Sequence, residues 1–291
     1  MRAVPEERAQ RASRRVLVTG GAGGLGGALV AAFRQRGDEV VAADIAFEGG
    51  RAASEALGSS SERSERSVET KDQSRPHLHL DVRSDDDWAA ARDWVEEHWG
   101  GLDVLVNNAG VAGGGRIDVA GMDEWQWITE INLFGVVRGT RTFVPMFKQQ
   151  RSGQIVNIAS LAGLVHPAGM GSYNAVKAGV VAFSETCAHE LAEWDIRCSV
   201  VCPSYFRTRL IENMQGTDTA VGQVIGGLVS GAPLGPEDIA AAVLEGLERG
   251  DELILPDPAA RAAYELKLTD RAGYDQVMRK QAARLNAIGE Q

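Results

Sequence analysis

Arg15-Val-Leu-Val-Thr-Gly-Gly-Ala-Gly-Gly-Leu-Gly26 is an apolar run that breaks into a glycine-rich turn; apolar residues then resume to about Arg36, where Gly37 stops them. The order reads as a buried strand, a tight turn and a helix. Glycines in such a turn let the backbone approach a pyrophosphate closely, and the helix N-terminus behind them favours negative charge. Turns and linkers use glycine as well. The place of this loop between strand and helix is what ties it to a dinucleotide.

The same alternation continues along the chain. Strands are predicted at 39–44, 77–81, 102–107, 153–159, 196–202 and 252–255. Between them lie helices. Ser84 reads as an N-cap ahead of Asp85, Asp86 and Asp87, followed by an apolar stripe of Trp88, Val95 and Trp99. Long helical stretches follow at about 123–150 and 171–194, and Pro236 opens another as its first residue. Near-continuously apolar strands alternating with helices imply a parallel sheet covered on both faces. Right-handed crossovers make this a single doubly wound α/β domain, with no internal boundary between residues 14 and 258.

Two segments fall outside the pattern. Residues 58–76 are rich in Ser, Glu and Arg and read as a disordered insertion. Residues 259–291 read as a helical tail, with Tyr274, Val277, Met278 and Leu285 as an apolar stripe. The polar, arginine-rich stretch 1–13 reads as a disordered arm rather than a secretory signal, because it has no apolar core.

Composition narrows the function classes. Of 291 residues, 44% are apolar and 24% charged, as in ordinary globular proteins. A net charge of −10 argues against a general nucleic-acid binder. No apolar run is long enough to span a bilayer. Cys187, Cys198 and Cys202 are too few for a disulfide scaffold, and Cys198 and Cys202 lie in an apolar run with no histidine nearby, so buried thiols, no metal site and a cytoplasmic location are expected.

Chemistry enters at Ser160 and at Ser172-Tyr-Asn-Ala-Val-Lys177. Tyrosine and lysine four residues apart share one face of a helix. A free tyrosine is a poor base, with a pKa of about 10. A nearby ammonium favours the phenolate. The pair therefore points to a tuned proton donor and acceptor, with Ser160 holding the oxygen that is protonated. Asp44 ends the second strand, where an acid bonds the adenosine ribose and repels a 2′-phosphate. Neither Ile45 nor Gly23 offers the basic side chain a phosphate would need, which favours NAD over NADP.

With these residues in place, the chain resembles the short-chain dehydrogenase/reductase family in its compact form. Thr19-Gly20-x-x-x-Gly24-Leu25-Gly26 matches the nucleotide fingerprint, and Asn107-Asn108-Ala109-Gly110 matches a second motif. Asn132, Ser160, Tyr173 and Lys177 fall on the catalytic tetrad in order, and the resemblance covers about residues 14–256. It implies a Rossmann-like domain. Tyr173 would act as general acid/base, Lys177 would lower its pKa and bond the nicotinamide ribose, and Ser160 would orient the substrate oxygen. Asn132 would hold a water linking Lys177 to solvent. Asp81 and Val82 would contact adenine; Asn108, Ala109, Gly110, Pro203 and Thr208 would line the cofactor cleft. Relatives pair through their two long helices, implying a homodimer or homotetramer.

The chain departs from the family pattern where a Pro-Gly pair is usual: here it is Pro203-Ser204, followed by Tyr205-Phe206. Serine adopts left-handed backbone less cheaply than glycine, so this loop is expected to differ in shape. The two aromatics either narrow the pocket or are buried. Segments 111–116, 161–170 and 205–233 form the expected substrate wall, mostly apolar or small. Val221, Val224, Ile225 and Leu228 read either as a lid face or as a core stripe. His166 reads as a loop residue. The leading function is an NAD-dependent oxidoreductase of a lipophilic secondary alcohol or its ketone. A non-catalytic dinucleotide-binding regulator and an NADP-dependent ketone reductase are the alternatives.

Overall fold

The computed structural model describes residues 13–47, 76–208, 210 and 214–289. The expected arm and insertion lie outside those residues, apart from Ser13 and Pro76. Seven strands form one parallel sheet in the order β3-β2-β1-β4-β5-β6-β7. They are β1 (Arg15–Thr19), β2 (Glu39–Asp44), β3 (His77–His79), β4 (Val104–Asn107), β5 (Gly153–Ile158), β6 (Ile196–Val201) and β7 (Leu253–Ile254). The strand order reverses between β1 and β4, which opens a crevice at their C-terminal ends.

Helices cover both faces. On one side α1 (Gly24–Gln35) and α8 (Pro236–Arg249) pack Leu29, Phe33, Val243 and Leu247 against Val16, Val18 and Val106. On the other, α2 (Asp85–Trp99), α4 (Gly135–Gln150) and α6 (Gly171–Leu191) press Trp88, Phe143, Phe147 and Leu191 against Leu17, Leu105 and Ile155. Alternate residues of β1 thus feed opposite cores, as a period of two demands. Ser84 caps α2 by accepting from the Asp87 N–H at 3.1 Å, and Pro236 opens α8. Among the described residues no helix is long and apolar enough to cross a membrane.

Two expectations need correcting in detail. The stretch 123–150 is not uniformly α-helical: α3 (Met122–Thr129) passes into a π-helical turn, Glu130–Phe134, before α4 begins. Residue patterns carry no signal for that extra residue per turn; it places Asn132 in a fully buried position. In the tail, α9 (Pro258–Thr269) and α10 (Arg271–Gly289) form as expected, and Tyr274 and Leu285 are buried. Val277, however, is exposed. At about 100° per residue it stands roughly 60° off the line of Tyr274, on the far side from Met278.

Candidate active site

The crevice is built by loops that grip one another. Thr19 Oγ accepts from the backbone N–H groups of Asn108 (2.9 Å) and Ala109 (3.0 Å). Asn108 Nδ2 donates back to the Thr19 carbonyl at 2.9 Å. The glycine loop is thereby fastened to the loop after β4. Gly20 and Gly24 have φ of +65° and +55°, which disfavour any side chain. A Cβ on Gly26 would run into the Gly20 carbonyl oxygen. At the neighbouring strand end, the Asp44 carboxylate accepts from Ala22 N–H at 3.0 Å and from Ala46 N–H at 2.9 Å. Asp81 pairs with Arg83 at 2.6 Å, which holds its carboxyl below the usual range, and Val82 is buried against Gly135.

Ser160 lies just beyond β5, where its hydroxyl accepts at 3.2 Å from the N–H of Ala162, the first residue of the short helix α5 (Ala162–Val165). Tyr173 and Lys177 sit on α6, four residues apart and both buried. The Ser160 hydroxyl lies close enough to the Tyr173 phenol to favour its ionised form. The Lys177 ammonium donates to the Ile158 carbonyl at 3.0 Å and stands 5.8 Å from the centre of the Tyr173 ring. Asn132 accepts from Val111 N–H at 2.8 Å and donates to Val111 C=O at 2.9 Å. Its side chain therefore pins the loop after β4 before it can serve anything else, and one lone pair and one N–H remain.

The Pro203-Ser204 departure has its own solution. Ser204 does not adopt a positive φ. Its N–H (2.9 Å) and hydroxyl (2.6 Å) donate to Asp257, which also accepts from Ala260 N–H at 2.8 Å as the N-cap of α9. A buried carboxylate replaces a glycine turn as the device that shapes this loop. Asp257→Ala leaves three donors without their acceptor. It should lower unfolding free energy by about 3 kcal/mol in urea titration, with Asp257→Asn recovering part of the loss. The two aromatics divide. Phe206 joins the core beneath α8, whereas Tyr205 packs beside Tyr173 with its hydroxyl 3.6 Å from Met170 Sδ. Pro203 accepts from Leu161 N–H at 2.9 Å, and Thr208 Oγ faces Gly24 across the crevice at 3.6 Å from where a Cβ would sit.

A family model described as short chain dehydrogenase matches residues 14–218. The chain belongs to the short-chain dehydrogenase/reductase family. It is 36% identical over 196 residues to a 3-alpha-(or 20-beta)-hydroxysteroid dehydrogenase of Mycobacterium tuberculosis, covering 67% of this chain and 70% of that one. It is 31% identical over 230 residues to a cyclopentanol dehydrogenase of Comamonas sp., covering 79% and 87%. A short-chain dehydrogenase/reductase from Burkholderia phymatum, solved in complex with NAD, superposes with a TM-score of 0.74 at 27% identity, covering 89% and 94%. The chain is accordingly an oxidoreductase acting on CH–OH groups.

As expected of a short-chain dehydrogenase, the crevice fits a nicotinamide dinucleotide. The N-cap of α1, Gly23, contributes no side-chain cap, so the first-turn amides face the crevice free of side-chain competition. The electrostatics differ from expectation at one point. Burial pushes the Tyr173 phenol up to about 12, against the pull of Ser160, and pushes Lys177 down to about 8. Lys177 is bonded to Ile158 rather than to the phenol, so in the protein alone desolvation outweighs its influence.

Sequence reading passed over two supports of this site. Asn157 of β5 lies in register with Asn107 of β4, accepts from its Nδ2 at 2.9 Å and donates to Ser184 Oγ of α6 at 2.9 Å. An asparagine inside an apolar strand was the available signal. Asp257 before Pro258 signalled only the N-cap of α9; its bonds to Ser204 carried no signal, because that partner is far away in sequence.

Proposed function

We propose that this chain is an NAD-dependent dehydrogenase that interconverts an uncharged, lipophilic secondary alcohol and its ketone. The observation that carries this reading is Tyr173 and Lys177 buried one helical turn apart on α6, with the Lys177 ammonium held at the Ile158 carbonyl two residues before Ser160. Tyr173 takes the alcohol proton on its phenol oxygen during oxidation and returns it during reduction. Ser160 holds the substrate oxygen beside that phenol, and its hydroxyl costs no reorganisation there. Lys177 holds the nicotinamide ribose and favours the phenolate. Asn132, with its remaining N–H and lone pair, keeps a water that links Lys177 to solvent. Bound NAD supplies the hydride acceptor and a positive charge near the phenol.

Gly20, Gly24, Leu25 and Gly26 cradle the pyrophosphate, Asp81 and Val82 the adenine, and Asn108, Ala109, Gly110, Pro203 and Thr208 the nicotinamide half. Asp44, already turned toward the glycine loop at Ala22, receives the adenosine ribose. Asp44→Arg should shift the ratio of kcat/KM for NAD over NADP by about tenfold or more toward NADP. An unchanged ratio refutes the assignment.

The substrate wall supports an uncharged ligand. Arg116 is tied to Asp218 at 2.8 Å, and Arg207 donates to the Ala232 carbonyl at 2.8 Å. Met170, Val221 and Ile225 share one apolar cluster with Tyr173. The relatives named as hydroxysteroid and cyclopentanol dehydrogenases act on uncharged secondary alcohols, which agrees with such a wall. Residues 14–258 act as one domain in the cytoplasm. Copies pair through α4 and α6 as a dimer or tetramer, where Phe134 stands exposed. Purified protein would be given NAD and a panel of cyclic and steroidal alcohols while nicotinamide absorbance is followed. Tight NADH binding with no turnover across the panel would favour a non-catalytic regulator.

A further inference from the structure

The segment that joins Ser160 to Tyr173 is gripped from outside by the C-terminal helices, which lie beyond the stretch matched by the family model. The grip has two ends. At the first, Lys267 of α9 donates to the Leu164 carbonyl and lies 3.1 Å from His166 Nδ1. An ammonium has only donors, so Nδ1 accepts. His166 Nε2 then carries the proton and donates to the Gly163 carbonyl at 3.1 Å. His166, the left-handed C-cap of α5 at a φ of +50°, is thereby held on both sides of its ring. Tyr274 of α10 closes the same end by packing with Leu164 and Val165.

At the second end, Leu285 of α10 and Val221 of α7 (Thr219–Ser230) meet over Gly169. A Cβ there would lie 2.8 Å from Leu285 Cδ1 and 3.0 Å from Val221 Cγ2. Gly169 has a φ of +76°, so the backbone and the close approach both require glycine. Leu285 is buried in the cluster that holds Met170, Tyr173, Val221 and Ile225. One side chain from the last turns of α10 therefore packs beside Val221 of α7 against the loop that leads into Tyr173.

We propose that α9 and α10 form a clamp on the 161–170 loop, with Lys267 and Leu285 as positioning residues. Lys267 steadies the Ser160 side of the pocket. Leu285 sets the spacing between that loop and α7, and so the bulk of the alcohol admitted. The substrate clause rests on the alcohol dehydrogenase reading; the clamp does not.

The test uses the full chain and its Leu285→Ala, Leu285→Met, Lys267→Met and Lys267→Arg variants. Hydrogen exchange is followed over 161–170 and over β1 and β4. Leu285→Ala and Lys267→Met should each speed loop exchange about tenfold while the strands stay unchanged. Leu285→Met and Lys267→Arg should stay near wild type. With turnover, Leu285→Ala should raise the kcat/KM ratio of a 3-hydroxysteroid over cyclopentanol about fivefold, chiefly through KM. Loop exchange that does not change, or that rises equally in the strands, overturns the clamp. A faster loop with an unchanged substrate ratio overturns the role of Leu285 in selection. If the wild type turns over no alcohol, the dehydrogenase reading fails, and the exchange result alone upholds or overturns the clamp.

Discussion

Tyr173→Phe should lower kcat about 10³-fold while leaving NADH affinity and the melting temperature close to those of the wild type. The change deletes a single oxygen. The ring keeps its place among Ile128, Met170 and Val176, so packing is conserved. What goes is the group that exchanges a proton with the substrate oxygen. A loss of that size corresponds to about 4 kcal/mol of barrier. Steady-state kinetics on a secondary alcohol, alongside NADH fluorescence titration, reads both quantities. Turnover that survives the substitution would remove Tyr173 from the proton path. Loss of NADH binding would instead assign the phenol a cofactor role.

Lys177→Met should move activity and stability in opposite directions. Activity should fall about 10²-fold or more, because the phenol loses its cationic neighbour. Stability should rise. Burial lowers the Lys177 pKa from 10.5 to about 8, so at neutral pH the native state carries an ammonium it would rather release. Between about 8 and 10.5 the unfolded chain binds that proton and the folded chain does not. Wild-type stability attributable to Lys177 therefore grows with pH through that window. Methionine escapes the cost at every pH. The variant's advantage should be about 2 kcal/mol at pH 7, after allowing for the lost bond to Ile158, and should shrink steadily toward pH 10.5. Urea titrations of both proteins at pH 7, 9 and 10 check it. An advantage that grows with pH would reverse the assigned sign.

That pairing of loss and gain is the mark of a group kept for chemistry. A fully apolar side chain would suit the site between Ile158 and Tyr173 better than an ammonium does. The sequence offered the identity and spacing of the pair but not this cost. It also led to the expectation that Lys177 lowers the Tyr173 pKa. In the folded chain burial raises it, because the ammonium turns to a backbone carbonyl instead of the phenol.

Much of the fold was legible because its signals are local. Apolar runs of strand length, glycines at Gly20 and Gly24, Ser84 before three acids, and Pro236 each state a backbone preference within a few residues. The doubly wound arrangement followed from the handedness of the crossovers, whereas the strand order is read from the folded sheet. The features that escaped depend on distant partners. Ser204 is shaped by Asp257, Asn107 by Asn157, and Leu164 by Lys267. The π turn at Glu130–Phe134 escaped for a related reason. It sits where Leu133 packs on Gly179 of α6 and Asn132 reaches Val111, contacts that exist only in the folded chain.

The sequence by itself determined a doubly wound sheet, a glycine loop fit for a pyrophosphate, and the four polar residues assigned to the reaction. Composition, period and spacing act over short range, and they suffice for such features. Only the tertiary structure decided how Ser160, Tyr173 and Lys177 lie relative to one another, which groups Asn132 and Asp257 hold, and that the final helices reach back to the loop beside Tyr173. Those outcomes depend on contacts between segments far apart in the chain. Their energies arise from burial and from satisfying buried donors and acceptors, and neither exists until the chain has folded.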